Sequence, residues 1–200
     1  MQTKAEKTRQ FIIERSALVF NIKGYSATSL TDIMECTGLT KGSIYGNFKD
    51  KEEVATEVFK YKMDRLFKNL DMYAGKETRY IDKLISITTY YRQNWTAIKE
   101  RGGCPILNAS VEADDHLDYL QPLIRKSIAR YNTYISELIK NGQKIGEIKK
   151  NVESKKAAFH ILTLLEGGIL LSKILNTKTH IIHSLEQIEI YINNELKKTR

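Results

Sequence analysis

The sequence has only two cysteines, Cys36 and Cys104, and no close spacing links them. Two isolated cysteines exclude a disulfide framework and a zinc knuckle. A chain with so few thiols and no framework is typical of the reducing cytoplasm. The sequence therefore predicts a cytoplasmic protein without a bound metal or cofactor.

Proline and long apolar runs are also scarce. The 200 residues include two prolines and eleven glycines, so few positions break a helix. No segment keeps a period-two alternation for long, and no run approaches the roughly twenty apolar residues of a membrane span. The first twenty residues carry charges throughout, which excludes a signal peptide. These absences predict a soluble, all-α chain with no membrane partner.

Catalytic motifs are missing as well. The sequence contains no G-x-S-x-G, no H-E-x-x-H, no P-loop and no dinucleotide-binding fingerprint. The Asp-Asp-His run at residues 114–116 could ligate a metal, but a solvated turn is the simpler interpretation. The sequence therefore predicts a protein that is not an enzyme. An all-helical enzyme whose N-terminal unit is only structural stays as the alternative.

The net charge of +8 and the pI near 9.3 favour an anionic partner. The positive charge is spread along the chain, however. Residues 1–68 hold 12 basic against 9 acidic side chains, and residues 69–200 hold 20 against 15. Charge alone therefore does not locate a nucleic-acid site.

Apolar residues recur at three and four positions along most of the chain, which is the pattern of amphipathic helices. The pattern and its glycine breaks predict about nine helices, over residues 4–23, 29–37, 41–47, 50–74, 78–99, 106–113, 119–140, 154–175 and 179–198. Gly24 is predicted to end the first helix in a left-handed cap, and Asn141-Gly142 to end the seventh. Gly75 marks the predicted break between two domains.

The most informative segment is TSLTDIMECTGLTKGSIYGNFKDK, residues 28–51, which predicts two short helices joined at Gly38. Glycine allows the positive φ that such a turn requires. The second helix would bury Ile44 and Phe48 and present hydroxyls and one cation to solvent, as a DNA-reading helix does. We predict DNA contacts for the polar residues of this segment: Thr28, Ser29, Thr31, Thr40, Lys41, Gly42, Ser43, Tyr45, Asn47 and Lys51.

The run LTKGSIYGNFKDKEEV resembles the signature of the TetR family of bacterial transcriptional regulators. Six residues match the family pattern, namely Gly42, Ser43, Ile44, Tyr45, Phe48 and Lys51. The position where the family commonly has histidine is Asn47 here, and the residue before it is Gly46.

The resemblance implies an all-α fold with a three-helix DNA-binding head at residues 1–50, which contains the helix-turn-helix. A connecting helix would run to about residue 74. A larger helical domain for ligand binding and dimerisation would follow at residues 75–200. The implied function is a homodimeric repressor that a small-molecule effector releases from a palindromic operator in double-stranded DNA. An activator of the same fold is the alternative.

The aromatic side chains in the middle of the second half suggest an effector pocket, since such pockets are mainly apolar with a few polar anchors. Glu166 is the exception in an apolar helix, where an acid is costly unless it is paired or useful. It could meet a cationic ligand, or it could face water. The predicted pocket residues are Tyr91, Trp95, Leu107, Phe159 and Glu166.

The last two helices have more apolar residues than one neighbouring helix can bury. Together they suit a four-helix interface across a two-fold axis, and a single-chain bundle core is the alternative. The predicted dimer residues are Ile161, Leu165, Ile169, Ile181, Leu185, Ile188 and Ile192.

Overall fold

The computed structural model describes residues 3–115 and 117–198, which form nine α-helices and one π-helical turn without a β-strand. The all-α prediction is therefore confirmed. The helices are α1 Lys4–Lys23, α2 Leu30–Thr37, α3 Lys41–Tyr45, α4 Lys51–Ala74, α5 Tyr80–Glu100, α6 Pro105–Asp115, α7 Gln121–Lys144, α8 Ser154–Ile174 and α9 Thr179–Tyr191, and the π-helical turn is Ile192–Leu196.

Helix α1 ends at Lys23 as predicted, but the predicted cap conformation at Gly24 and the predicted end of the seventh helix are wrong. Gly24 has φ 98° and ψ 160°, so it follows α1 with a positive φ but outside the left-handed helical region. Helix α7 runs through Gly142 and ends at Lys144, before Gly146 at φ 79°. A Cβ on Gly142 would lie 2.6 Å from Cδ1 of Ile148. The glycine at 142 therefore serves close packing rather than helix termination.

The chain divides into two compact units. Unit 1 comprises residues 1–65 and 105–125, and unit 2 comprises residues 66–104 and 126–200. The predicted domain boundary at residues 74–75 is not a boundary between the two units. Helices α4 and α7 each begin in unit 1 and end in unit 2. Helix α6 belongs to unit 1 although it follows α5 of unit 2 in the sequence.

Unit 1 has a core of large side chains from α1, α2, α3 and α4. The fully or almost fully buried members include Ile12, Phe20, Tyr25, Ile33, Ile44, Phe48, Val54 and Phe59. Arg9 of α1 donates to the backbone oxygen of Asn47 and, over 2.7 Å, to Glu53 of α4. It also lies over the Phe48 ring, 4.1 Å from the ring centroid. Arg9 thus fixes the C-terminal end of α3 against α1 and α4.

In unit 2, α8 packs closely on α9. A Cβ added at Gly168 would lie 2.5 Å from the hydroxyl oxygen of Ser184, so a larger residue would push the two helices apart. Helix α5 is tied to α9 through Glu189, which accepts hydrogen bonds from the Thr88 hydroxyl and from the Arg92 guanidinium. These contacts fix the positions of α5, α8 and α9.

The packing of α8 on α9 corrects the predicted dimer residues. All seven are at most 1% exposed in the single chain: Ile161, Leu165, Ile169, Ile181, Leu185, Ile188 and Ile192. A side chain that is already buried by its own chain cannot supply the surface of a dimer interface. The prediction is wrong for these residues, and the alternative of a single-chain core describes them.

By length and composition alone, α8 would be long and apolar enough to cross a membrane, and among the described residues it is the one helix of that kind. Its apolar residues lie on two faces. One face is buried against α9, and the other carries exposed side chains such as Phe159, Leu171 and Ile174. The core helix of a water-soluble protein passes the same test, so the composition of α8 is weak support for a membrane span.

Candidate nucleic-acid interface

Helices α2 and α3 form a tight helix-turn-helix in unit 1. Gly38 follows α2 in the left-handed helical region, with φ 70° and ψ 15°. Helix α3 begins immediately after Thr40, whose hydroxyl accepts a hydrogen bond from the N–H of Ser43 over 3.2 Å. The short cap and the glycine turn together set the direction of α3, as the sequence predicts.

The start of α2 is held by a capping box between Ser29 and Asp32. The Asp32 carboxylate accepts from the Ser29 N–H and from the ammonium of Lys23, each at 2.7 Å. These hydrogen bonds, that of Lys23 first, lower the pKa of Asp32 to about 2. The Asp32 carboxylate therefore stays ionised down to strongly acidic pH, and the first turn of α2 stays capped.

The solvent-facing side of α3 matches the predicted DNA surface. Thr40, Lys41, Gly42 and Tyr45 are exposed, while Ile44 on the opposite side is completely buried. The Lys41 ammonium lies 5.9 Å from the Tyr45 ring centroid. A Cβ at Gly42 would meet no atom within 4 Å, so the backbone is open there. We call this surface, formed by Thr40, Lys41, Gly42 and Tyr45, the α3 face.

Ser43 and Asn47 are half-buried beside the α3 face. The Asn47 amide donates to the backbone oxygen of Ser43 over 2.9 Å, so its amide N–H is partly used within the protein. Ser29 and Thr31, at the start of α2, are exposed. These four residues stay candidates for DNA contact.

Two of the predicted DNA-contact residues have other partners. Thr28 is completely buried, and its hydroxyl donates to the backbone oxygen of Gly24. The prediction of a DNA contact is therefore wrong for Thr28. The Lys51 ammonium donates to the backbone oxygens of Ser26 and Thr28, over 3.0 and 2.9 Å, and more weakly to that of Tyr25 at 3.4 Å. An ammonium has three N–H donors, so this arrangement leaves Lys51 none for a phosphate.

The loop at residues 24–28 is also held from α6, which the sequence alone did not suggest. The carboxylate of Glu112 accepts the N–H groups of Tyr25 and Ser26 over 2.9 and 2.8 Å. Lys51 thus binds the carbonyl groups of this loop and Glu112 binds its N–H groups. We call this pair of residues the loop clamp. It fixes the loop that leads into α2.

The predicted effector residues do not all come together. Tyr91 and Trp95 are buried on α5 of unit 2, and Glu166 is on α8 of the same unit. Phe159 is 51% exposed on α8, so the prediction that it lines an enclosed pocket is wrong. Leu107 is half-buried on α6, which belongs to unit 1.

A polar cluster surrounds Glu166 in unit 2. The Cys104 thiol donates to one carboxyl oxygen of Glu166 over 3.1 Å. The hydroxyls of Tyr91 and Tyr131 lie 3.3 Å apart in the buried core. Burial raises the pKa of both tyrosines, and the carboxylate of Glu166 adds to this shift. Burial raises the pKa of Glu166 itself to about 7, against the opposing effect of the Cys104 hydrogen bond.

No group of three or more metal-ligating side chains occurs among the side chains that the structure describes. The predicted metal alternative falls on residues 114–116. His116 lies outside the described residues, as do the side chains of the two aspartates before it.

An N-terminal helix-turn-helix with an open α3 face, followed by a larger helical unit, defines a DNA-binding transcriptional regulator. Models of known protein families agree with this conclusion. The family model for the bacterial regulatory proteins of the TetR family matches residues 12–58, and the model for the tetracycline-repressor-like C-terminal domain matches residues 81–188. The chain therefore belongs to the TetR family.

Solved structures of similar proteins support this assignment. A TetR-family transcriptional regulator from Cytophaga hutchinsonii is 34% identical, with a TM-score of 0.94 and coverage of 100% of both chains. A TetR transcriptional regulator from Chloroflexus aurantiacus is 31% identical, with a TM-score of 0.89 and coverage of 98% and 99%. The transcriptional repressor DhaR of a Mycobacterium species is 24% identical over 83% of this chain and 82% of its own.

Proposed function

We propose that this regulator represses transcription and that a small-molecule effector releases it from its operator. The open α3 face is the observation that carries this proposal. Its hydroxyls, its ammonium and its exposed glycine are groups that bind phosphates and base edges, and they are open to solvent in the described part of the chain. The similarity to DhaR, which is a repressor by name, favours repression over activation.

In this proposal, α3 enters the major groove with Lys41, Ser43 and Tyr45 on the DNA side. Ser29 and Thr31 lie at the start of α2, where N–H groups and the helix dipole favour a phosphate. Lys51 acts indirectly, because it holds the loop before α2. The protein works in the cytoplasm as a soluble regulator rather than as a catalyst, in keeping with its similarity to transcriptional regulators.

A single α3 reads one half-site, so a palindromic operator requires a homodimer. We propose that the dimer interface is the exposed face of α8. The exposed residues of this face lie along one side of the helix, most of them three or four positions apart: Phe159, Thr163, Gly167, Leu170, Leu171 and Ile174. Ile174 is 70% exposed and Phe159 51%, and a continuous exposed apolar strip of this kind marks an interaction surface.

Replacing Leu171 with aspartate is expected to dissociate this dimer. The charge would be buried in both copies, at about 2 kcal/mol each, so dimer affinity should fall by roughly 1,000-fold. Sedimentation equilibrium measures this change. The matched control is Ile145→Asp, which alters a residue that is 61% exposed in the loop before α8. Equal dimer affinity in the two variants would place the interface elsewhere.

Gel shift with the DNA upstream of the chain's own gene tests the proposed function directly. We expect a shift at low salt and a steep loss of affinity as salt rises, because bound phosphates release counterions. Transcription in vitro from the same DNA should fall when the protein is added, whereas an activator would raise it. An intact dimer that produces no shift at low salt would contradict DNA binding.

A further inference from the structure

The interior of unit 2 contains buried polar atoms that have no hydrogen-bond partner among the described residues. They include Oε2 of Glu166 on α8 and Nε1 of Trp95 on α5. Leaving such an atom unsatisfied costs free energy, and more when the atom belongs to a charged group. Such an atom calls for a partner, which can be an ordered water, an ion or a bound ligand.

Lys173 of α8 is coupled electrostatically to the Cys104 thiol, whereas the described groups that are coupled to the Glu166 carboxyl itself carry no positive charge. Cys104 precedes α6, Tyr91 is on α5 and Tyr131 is on α7, and these are the titratable groups coupled to the carboxyl in the described part of the chain. All three can donate a hydrogen bond, but none can neutralise a carboxylate. We call Glu166, Cys104, Tyr91 and Tyr131 the carboxyl cluster. Within the described residues, it combines a half-buried acid, whose Oε2 is enclosed, with aromatic neighbours, and no counter-ion is coupled to the carboxyl.

The protonation of Glu166 is poised at neutral pH. Burial penalises the ionised carboxylate and raises its pKa to about 7. A cation at the carboxyl would favour the ionised form, and the proton would leave to solvent. A neutral ligand would bring no such change. The charge of the ligand can therefore be deduced from the pH dependence of its binding.

We propose that the carboxyl cluster binds the effector, and that the effector is a small aromatic or aliphatic amine whose ammonium group pairs with Oε2 of Glu166. Its apolar part packs against aromatic side chains, which attract cations through their ring faces. The Trp95 N–H lies one helical turn beyond Tyr91 on α5 and can donate to an acceptor in the same ligand. This inference rests on the proposed function, because it names the chemistry of the effector.

The position of Cys104 gives the ligand a path to the DNA-binding unit. Cys104 is followed directly by Pro105, the first residue of α6, where the chain passes from unit 2 to unit 1. An ammonium at Oε2 would ionise Glu166 and so change the group that accepts the Cys104 thiol at Oε1. Helix α6 carries Glu112, one half of the loop clamp. A change at Cys104 would therefore reach the chain segment that leads into α6.

Three probes with one skeleton and different charge test the proposal: phenylbutylamine, phenylbutanol and phenylbutyrate. Trp95 is the only tryptophan in the sequence, so intrinsic fluorescence reports on unit 2 without labelling. We expect the amine to bind at least tenfold more tightly than the alcohol at pH 8, and the acid to bind least. Between pH 6 and pH 8 the amine affinity should rise about tenfold, as a carboxyl with a pKa near 7 ionises. The alcohol should show no such rise.

Glu166→Gln keeps the size of the side chain and removes its charge. The variant should bind the amine no better than the alcohol and should lose the pH dependence. Glu186→Gln, at an exposed position of α9, is the matched control and should behave as the unchanged chain. If the unchanged chain binds the amine no better than the alcohol, or without the pH dependence, the proposal is overturned whether or not the variant folds.

Gel shift on the same samples separates this inference from the proposed function. Specific DNA binding without an amine preference would overturn the carboxyl cluster alone. An amine preference in a chain that binds no DNA would overturn the proposed function alone. If both hold, the amine should weaken the gel shift of the unchanged chain, and Glu166→Gln should resist this effect.

Discussion

Replacing Tyr45 with alanine is expected to weaken operator binding about 100-fold without unfolding the head. Tyr45 is 37% exposed on the α3 face, and its ring lies beside the Lys41 ammonium. Losing one hydrogen bond to a charged phosphate costs about 1.4 kcal/mol, a factor of ten. The proposed dimer has two heads, so the factor applies twice. Fluorescence anisotropy with labelled operator measures the change.

One control and two further variants separate the parts of this effect. Tyr61→Ala, which changes a half-buried tyrosine on α4 in unit 1, is the control and should leave DNA affinity within about twofold of the original. Lys41→Gln should reduce the slope of log affinity against log salt by about two per dimer, because two fewer phosphates are neutralised. Tyr45→Phe should weaken binding without changing that slope. Full operator affinity in Tyr45→Ala would remove the α3 face from the interface.

Replacing Glu112 with alanine is expected to lower the free energy of unfolding of unit 1 by about 3 kcal/mol. Its carboxylate accepts two backbone N–H groups of the loop before α2, and each charge-assisted hydrogen bond contributes about 1.5 kcal/mol. The loop would then be held by Lys51 alone, so α2 and α3 should also lose their fixed position. DNA affinity should fall although Glu112 itself contacts no DNA. Urea unfolding measures the first effect and anisotropy the second.

The matched control for Glu112 is Glu52→Ala, since Glu52 is an exposed acid at the start of α4. Removing it should change stability by less than about 0.5 kcal/mol. Glu112→Gln should fall between the two, because the amide oxygen still accepts one hydrogen bond but carries no charge. If Glu112→Ala unfolds at the same urea concentration as Glu52→Ala, the loop clamp does not stabilise the head.

The helix-turn-helix could be read from the sequence because its signals are local. Gly38 has the positive φ that the turn requires, and Ser29 and Thr40 each cap the helix that follows them. Each of these features depends on residues within about four positions. Local chemistry of this kind is visible without any knowledge of the tertiary fold.

The contacts that the sequence does not predict have the opposite cause, since each depends on a partner far away in the sequence. Lys51 binds carbonyl groups more than twenty residues before it, and Glu112 binds N–H groups 86 and 87 residues before it. No spacing rule predicts either contact. Helix α8 has two apolar faces, and periodicity does not say which one α9 covers. The predicted dimer residues therefore lie on the face that α9 covers.

Methylation interference on an operator selected from random duplexes tests the central claim most directly, namely that α3 reads the major groove. Guanine N7 lies in the major groove, whereas adenine N3 lies in the minor groove. We expect N7 methylation to block binding at two clusters of guanines, about one helical turn or a multiple of it apart, related by two-fold symmetry. Interference from adenine N3 alone, or from no base in either half-site, would contradict the claim.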